Sequence, residues 1–304
     1  MRPALASVLL ICATGLAQTP VDPARVDGLV KRAVVLDLHC DTTQLMVDEG
    51  YDLGQAHDYG EVDVPRMRKG GVTGVFFSIF TPPQRVTPLE SVKAALIQID
   101  TVRGQVRRLS TDLVMAASAD EVLAAKKQGK IAALLGLEGG HMIDSSLPLL
   151  RTYFALGVRY LTLTHSTNTP WADSSGAKPA HNGLTPFGRD VVREMNRLGM
   201  MVDISHPSKN ANLQAIELSK APVIASHSAA RALADVSRNL DDVQLNALKR
   251  NGGVVQTVGF ASYVKVTKPD SPERATAIDA LRKEFGIDAG SRSEERRVGK
   301  ECRL

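Results

Sequence analysis

Cysteine is scarce in this sequence of 304 residues, which contains three. Cys12 lies in an apolar segment at the N-terminus and Cys302 in a charged segment at the C-terminus, so Cys40 is the single cysteine of the central part. A lone cysteine excludes an intramolecular disulfide framework. Cys40 alternates with His39 and Asp41 along a predicted strand and should point away from both, so we interpret it as a packing residue.

Aromatic residues are also sparse, at 4% of the chain, and no basic run alternates with them. Proteins that hold nucleic acid combine a basic groove with aromatic rings on which bases stack. The formal net charge of +4 does not replace that pattern, because residues 292–304 alone contribute two of these charges. We therefore predict no nucleic-acid partner.

Apolar runs of membrane-spanning length are absent. The N-terminal apolar stretch, from about Ala4 to Leu16, is too short to cross a bilayer. It follows Arg2 and ends in the small residues Gly15 and Ala17, which is typical of a secretory signal peptide. We predict that residues 1–17 are a cleaved signal peptide, that the protein is exported to the periplasm or the medium, and that it has no stable membrane span. A retained N-terminal anchor is the alternative.

The C-terminal segment has no hydrophobic period. Residues 292–304 are dense in charge, which is typical of a solvated tail. Their sequence also resembles the translation of a common sequencing-adapter oligonucleotide. We therefore interpret residues 291–304 as a foreign segment and expect the gene-encoded sequence to be truncated near Gly290.

Linkers, low-complexity tracts and internal repeats are absent between residues 21 and 290, which predicts one large domain. Apolar runs of strand type alternate there with segments of helical spacing, and this alternation predicts a parallel sheet covered by helices. No glycine-rich phosphate loop follows the first run, which disfavours an open doubly wound sheet. We predict an incomplete (β/α)8 TIM-type barrel of about seven strand-helix units, without an eighth strand. The seven predicted strands lie in AVVLDLH, GVTGVFFSIF, KIAALLGLEGG, VRYLTLTH, GMMVDISH, APVIASHS and GGVVQTVGF.

Histidines and carboxylates follow several of these runs at their C-terminal ends, the face on which barrel enzymes place their chemistry. Each one alone is explained by packing or capping, but the set converges only if the strands close into a barrel. Imidazole and carboxylate ligands suit zinc or a similar first-row ion. The candidate residues are His39, Asp41, Glu138, His165, His206 and His227.

These candidates form two groups, His39 with Asp41 and His206 with His227, and Glu138 lies between them in the sequence. A shared carboxylate can bridge two metal ions about 3.5–4 Å apart, with a hydroxide shared by both ions. Metal coordination lowers the pKa of bound water to about 7 and makes it a nucleophile at neutral pH. The predicted reaction is hydrolysis.

Three stretches are similar to the membrane (renal) dipeptidase family of the amidohydrolase superfamily: LEGGHMIDSSLPLLRTYFALGVRYLTLTHSTNTPWADSS, GLTPFGRDVVREMNRLGMMVDISHPS and APVIASHSAARALADVSRNLDD. The resemblance runs from about Val34 to Phe260. It implies a zinc-dependent dipeptidase in which Glu138 bridges two zinc ions. The other implied ligands are His39 and Asp41 for one ion and His206 and His227 for the second.

The resemblance also implies two substrate contacts. His165 would touch the substrate carbonyl or polarise the tetrahedral intermediate, and Arg238 would pair with the substrate's terminal carboxylate, a task for which a guanidinium fork is suited. From spacing alone, Arg238 is equally consistent with a salt bridge on a helix surface. The family has a catalytic Asp at the end of an eighth strand, and Asp288 does not follow an apolar run, so this Asp stays unassigned.

Two alternatives remain open at this stage. A related amidohydrolase acting on N-acyl amino acids would use the same ligands, and an inactive metal-binding fragment would hold metal without turnover. Trp171 either covers the site or packs under the loop that carries it, and His141 either supports the site or faces solvent. A homodimer is compatible with the sequence.

Overall fold

The computed structural model describes residues 22–83, 86–265 and 272–284. The predicted signal peptide, the predicted foreign tail and Asp288 lie outside these residues. The chain separates into two units, of which the first ends at Ala33 and the second begins at Val34. The described part of the first unit contains helix α1 (Pro23–Arg32), which starts at the cap residue Asp22.

The second unit is built on a parallel sheet that runs in the order β1-β2-β4-β5-β6-β7-β8, with β3 paired to β4 beside this path. The pairings between these strands are parallel. The sheet curves into a nearly closed TIM-type barrel, as the sequence predicts. The strands are β1 (Leu36–Cys40), β2 (Gly74–Phe80), β3 (Leu113–Met115), β4 (Ile131–Glu138), β5 (Val158–Thr162), β6 (Met201–Asp203), β7 (Ile224–Ser228) and β8 (Val254–Thr257).

Helices follow most strands, and most of them begin at a residue whose side chain caps the first turn. Thr87 and Asp241 each form a reciprocal capping box at the start of α4 and α9, and Gly199 ends α7 in the left-handed conformation. The helices of this unit are α2 (Thr42–Glu49), α3 (Val64–Lys69), α4 (Pro88–Arg108), α5 (Ala119–Lys127), α6 (Leu147–Ala155), α7 (Pro186–Leu198), α8 (Lys209–Leu218), α9 (Asp242–Asn251), α10 (Ala261–Val264) and α11 (Pro272–Glu284), with a 3-10 turn at Gly140–Ile143.

The seven predicted strands are confirmed, and together they form the continuous path of the sheet. The eighth strand of the structure, β3, was not predicted, because the apolar run of five residues that contains it, at positions 113–117, cannot be told from a buried helix segment by its pattern. It pairs with the beginning of β4 and does not close the barrel. Among the described residues, no main-chain ladder joins β8 to β1, so one seam stays open as predicted.

The interior is densest around β4, whose eight residues are all buried. Buried side chains of β2, β5 and β6 pack around it and against α4, α6 and α7. This rigid interior fixes the carboxyl ends of the strands relative to one another. In the part of the chain that the structure describes, no helix is both long and apolar enough to cross a membrane.

Candidate metal centre

The predicted ligands converge at the carboxyl ends of the barrel strands. His39, Glu138 and His227 lie within or at the end of β1, β4 and β7. The remaining three stand just beyond a strand: Asp41 follows β1, while His165 and His206 each stand three residues after β5 and β6. Although more than 180 positions separate the first from the last, the fold brings them to one rim.

Glu138 lies at the centre of this cluster, and its two carboxylate oxygens face different imidazoles. Oε1 lies 2.9 Å from His206 Nε2 and 3.2 Å from His227 Nε2. Oε2 lies 3.4 Å from His39 Nε2 and accepts a hydrogen bond from the Ser78 hydroxyl at 3.1 Å. The carboxylate therefore links two sides of the cluster.

The donor atoms fit a metal ion. Tetrahedral zinc ligands about 2.0–2.1 Å from the ion lie about 3.3 Å from one another. The Nε2 atoms of His206 and His227 are 3.0 Å apart. Asp41 Oδ1 lies 3.4 Å from His39 Nε2, and it is buried without a hydrogen-bond partner among the described residues. A cation would satisfy these groups.

The distances group the ligands differently from their order in the sequence. One compact set contains His39, Glu138 and His227, and a second contains Glu138, His165 and His206. The rings of His39 and His227 stack with their centroids 3.7 Å apart. Glu138 belongs to both sets, as the sequence predicts, but His227 lies nearer to His39 than the sequence order indicates.

Electrostatics keep the central groups in the protonation states that bind metal. Burial alone would raise the pKa of Glu138, but the charge of His39 and hydrogen bonds with the imidazoles lower it well below its ordinary value. Burial also lowers the pKa of His206 and His227 well below the ordinary value of histidine. At neutral pH, Glu138 is thus a carboxylate and His206 and His227 are neutral imidazoles.

His39 differs from the other histidines of the cluster. Burial would lower its pKa, but Tyr160 and the carboxylates of Glu138 and Asp41 raise it well above the ordinary value. Its Nδ1 atom lies 2.9 Å from the Tyr160 hydroxyl, so its ring is held from behind while Nε2 faces Glu138. Outer hydrogen bonds of this kind orient the ligands of a metal ion.

His165 is the most accessible imidazole of the cluster. Its side chain is 20% exposed, against 6% for that of His39, and its Nε2 atom lies 3.8 Å from Glu138 Oε1. The ring packs against Phe80 and His206 with centroid distances of 4.4 and 4.3 Å. Burial lowers its pKa. A neutral imidazole at the mouth of the cluster is placed to contact a ligand.

Arg238 is buried in the turn segment between β7 and α9. Its guanidinium donates hydrogen bonds to the Ser228 hydroxyl at 3.1 Å and to the His227 carbonyl oxygen at 3.0 Å. It also lies 5.3 Å from the centre of the Tyr263 ring. Within the described residues, no carboxylate lies within salt-bridge distance and the Nε–H has no partner. The helix-surface interpretation of Arg238 is therefore wrong, and the buried cation has capacity for an anionic group.

Trp171, His141 and Cys40 belong to neither set of ligand atoms. Trp171 is buried, packs against Phe187 and lies under its loop. His141 Nε2 is 2.9 Å from both the hydroxyl and the carbonyl oxygen of Thr81, and burial lowers its pKa to about 4. Cys40 is buried and its pKa is raised by burial.

The residues that hold the ligands from behind were not predicted from the sequence. Tyr160 contacts His39, and Ser226 contacts His227 Nδ1 at 2.7 Å. Asp203 ends β6 and binds Ser226. The signal for Asp203 was available, because an acidic residue ends an apolar run three positions before His206, whereas Tyr160 inside a strand is indistinguishable from a packing aromatic.

A parallel barrel that gathers imidazoles and carboxylates at the carboxyl ends of its strands has the architecture of a metal-dependent barrel enzyme. A family model described as membrane dipeptidase, peptidase family M19, matches residues 23–290. The chain therefore belongs to the membrane dipeptidase family, whose members are metallopeptidases. This confirms the resemblance found in the sequence.

Individual relatives agree with this assignment. The chain is 39% identical over 276 residues to an uncharacterized dipeptidase of Schizosaccharomyces pombe, covering 84% of this chain and 65% of that protein. It is 45% identical over 201 residues to Dipeptidase 3 of Rattus norvegicus, covering 64% of this chain and 40% of that protein. The chain thus spans less than two thirds of the length of both relatives.

Solved structures show the same fold. The probable dipeptidase PvdM of Pseudomonas aeruginosa superimposes with a TM-score of 0.76 at 28% identity, covering 88% of this chain and 70% of that one. A metallo peptidase of Rhodobacter sphaeroides, liganded with a phosphinate mimic of the dipeptide L-Ala-D-Ala, gives a TM-score of 0.71 at 25% identity and covers 83% of each chain.

Proposed function

We propose that this protein is a zinc-dependent dipeptidase that uses two metal ions. His39 and Asp41 would hold one ion, His206 and His227 the other, and Glu138 would bridge them. The observation that carries the proposal is the orientation of the Glu138 carboxylate, whose Oε1 faces His206 and His227 while Oε2 faces His39. A carboxylate that presents separate oxygens to separate imidazoles is suited to bridging.

When bound, the two zinc ions would supply a shared hydroxide at neutral pH as the nucleophile for hydrolysis. The residues of the chain would position the substrate around it. His165, at the mouth of the cluster, would contact the scissile carbonyl. Arg238 would bind the terminal carboxylate through its guanidinium, and a hydrogen bond between these two charged groups is of the stronger, charge-assisted kind.

A dipeptide is the substrate that this arrangement favours. Arg238 donates a hydrogen bond to the carbonyl oxygen of His227, one of the proposed metal ligands. A carboxylate bound to Arg238 would therefore lie close to the metal ligands. A substrate held at its carboxylate close to the cluster leaves little room for a longer chain between them. The Rhodobacter sphaeroides structure, with its dipeptide mimic, supports the same substrate class for a relative of this fold.

The test uses the purified full chain, stripped of metal with a chelator and reloaded with zinc. We expect about two bound zinc ions per chain by mass spectrometry and zinc-dependent release of amino acids from L-Ala-L-Ala or L-Ala-D-Ala. N-acetyl-L-alanine and tri-L-alanine should be poor substrates. Preferred cleavage of the N-acyl amino acid would favour the related amidohydrolase activity, and zinc binding without any turnover would favour a metal-binding fragment.

A pair of histidine variants separates loss of the site from general damage. His206→Ala should reduce kcat/KM by at least about 100-fold, more than the 10–100-fold that loss of an outer hydrogen-bond partner costs. His57→Gln is the matched control, because His57 stacks on Tyr51 and lies outside the ligand cluster. Equal activity of the two variants would contradict the proposed site.

We also propose export, on the basis of the residue pattern of positions 1–17 alone. Expression with and without these residues in a Gram-negative host, followed by fractionation, tests this. The intact form should reach the periplasm or the medium at a lower mass, and equal retention of both forms in the cytoplasm would contradict it.

A further inference from the structure

A buried polar network lies behind His227. Its centre is Asp203, the last residue of β6, which is fully buried. The Asp203 Oδ2 atom accepts hydrogen bonds from the hydroxyls of Thr162 at 2.5 Å and Ser226 at 2.7 Å. Its Oδ1 atom accepts from the backbone N–H groups of Ser226 at 2.9 Å and Ser205 at 3.2 Å. All four groups, two hydroxyls and two backbone N–H groups, donate to Asp203, which suits an ionised carboxylate.

These contacts fix the direction of the Ser226 hydroxyl. Ser226 has one proton to donate, and its carboxylate partner can only accept, so the proton points to Asp203. The Ser226 oxygen is 2.7 Å from His227 Nδ1 and can only accept there. The Ser205 hydroxyl, 3.3 Å away, supplies the second proton to the same oxygen, while Ser205 accepts the backbone N–H of His227 at 2.9 Å.

We propose that Asp203 and Ser226 are positioning residues that fix His227 as the tautomer protonated at Nδ1. The Nε2 lone pair then faces Glu138 and His206, where a metal ion needs it. The role of His227 as a metal ligand rests on the proposed function, whereas the tautomer is argued from the contacts at Nδ1, which oppose a proton on Nε2 directed at Glu138 Oε1, 3.2 Å away. Outer partners of this kind determine which ring nitrogen of a metal-binding histidine is free.

The isosteric variant Asp203→Asn should reverse the direction of the hydrogen bonds from Asp203 through Ser226 to His227. The amide oxygen must stay at the Oδ1 position to accept the two backbone N–H groups, so the NH2 group occupies the Oδ2 position. It then donates to Ser226, whose own proton turns to His227 Nδ1. An imidazole that accepts at Nδ1 carries its proton on Nε2 and cannot use that atom as a ligand.

Thr162→Val is the matched control. It removes the other hydroxyl bonded to the same Asp203 oxygen and keeps the shape of the side chain. Because Ser226 still donates to the carboxylate, the tautomer of His227 should not change. A network that merely stabilises the fold would respond to both variants in the same way.

The experiment measures the His227 tautomer by long-range proton–nitrogen NMR correlations in the metal-free full chain at about pH 8. We expect protonated Nδ1 in the unmodified protein and in Thr162→Val, and protonated Nε2 in Asp203→Asn. If Asp203→Asn does not fold, Ser226→Ala replaces it, and its Nδ1–H population should fall. Protonated Nε2 in the unmodified protein, or an unchanged tautomer in both Asp203→Asn and Ser226→Ala, would overturn the proposal.

Zinc titration with a competing chromophoric chelator supplies the second readout. Asp203→Asn should weaken zinc binding about 10–100-fold, the usual effect of losing an outer partner, while Thr162→Val stays near the unmodified protein. If the unmodified protein shows the expected tautomers but binds no zinc, the proposed function is rejected, while the positioning role of Asp203 and Ser226 stands. Equal weakening of zinc binding in Asp203→Asn and Thr162→Val would overturn the positioning role of Asp203 and Ser226.

Discussion

Gly136 in β4 illustrates how one missing side chain shapes the site. A Cβ atom at this position would lie 2.0 Å from Cζ of Tyr160 and 2.4 Å from its hydroxyl oxygen. The Tyr160 ring therefore occupies the space over Gly136, and from there its hydroxyl reaches His39 Nδ1. The bare backbone of β4 is a condition for the orientation of a predicted metal ligand on β1.

Substitution of Gly136 tests this connection. Gly136→Ala should displace the Tyr160 ring and lower the free energy of unfolding by about 1–3 kcal/mol, as overpacking of a core does. It should also weaken zinc binding, because His39 loses its partner. Chemical denaturation and zinc titration measure the two effects.

The variant Tyr160→Phe separates the loss of stability from the weakening of zinc binding. This variant keeps the ring in place and removes only the hydroxyl, so it should cost about 1 kcal/mol of stability while weakening zinc binding to a similar degree as Gly136→Ala. Gly136→Ala with unchanged stability would show that the barrel accommodates the added methyl group and would contradict the argument.

Helix α3 begins at a buried carboxylate. Asp63 accepts hydrogen bonds from the backbone N–H groups of Arg66 at 2.8 Å and His57 at 3.0 Å, and from Arg66 Nε at 2.6 Å. Burial alone would raise the pKa of Asp63, but these hydrogen bonds and the Arg66 charge lower it below its ordinary value. The stabilisation is therefore present above the ordinary pKa of about 3.9 and is lost as the pH falls through the lower folded value.

Asp63→Asn should make this dependence visible. The amide group would face the donors of Arg66 and His57, so we expect a loss of about 1–3 kcal/mol at pH 7. The difference from the unmodified protein should shrink as the pH is lowered from 5 toward 3, which denaturant titrations at each pH can measure. Asp190→Asn, in an exposed pair with Arg193, should cost less than about 1 kcal/mol at every pH. A pH-independent difference for Asp63→Asn would contradict the assignment.

The helices and strands were predictable to the extent that each carries its own signal. The seven strands of the barrel path are apolar runs bounded by caps and glycines, so local pattern was enough to predict them. The strand β3 was missed because its short apolar run, at positions 113–117, resembles a helix segment equally well. The ligand candidates were visible because His39, Glu138 and His227 end apolar runs. Their supporting residues were not, since the Tyr160–His39 and Ser226–Asp203 contacts depend on the register between strands.

At the seam between β8 and β1, where the main-chain ladder is missing among the described residues, a side chain connects the two strands. The Gln256 side chain of β8 accepts a hydrogen bond from the Leu38 N–H at 2.6 Å and donates one to Asp37 Oδ1 at 3.0 Å. Asp37 Oδ1 also accepts the backbone N–H of His39 at 3.0 Å. In the described part of the chain, Gln256 thus takes the place of a main-chain ladder between β8 and β1, one residue away from a predicted metal ligand.

Hydrogen exchange at single amides tests whether Gln256 holds β8 and β1 together. The Leu38 amide should be protected in the unmodified protein by its hydrogen bond to Gln256 and should lose most of that protection in Gln256→Ala. Amides of β4, which is paired on both sides, should stay slow. Gln214→Ala is the matched control, because Gln214 likewise bonds two backbone groups, at Leu184 and Asn182, but far along the chain from β1. It should accelerate exchange at Leu184 and leave Leu38 unchanged. If Leu38 stays protected in Gln256→Ala, another element covers this edge of β1, and the seam is closed by more than one glutamine.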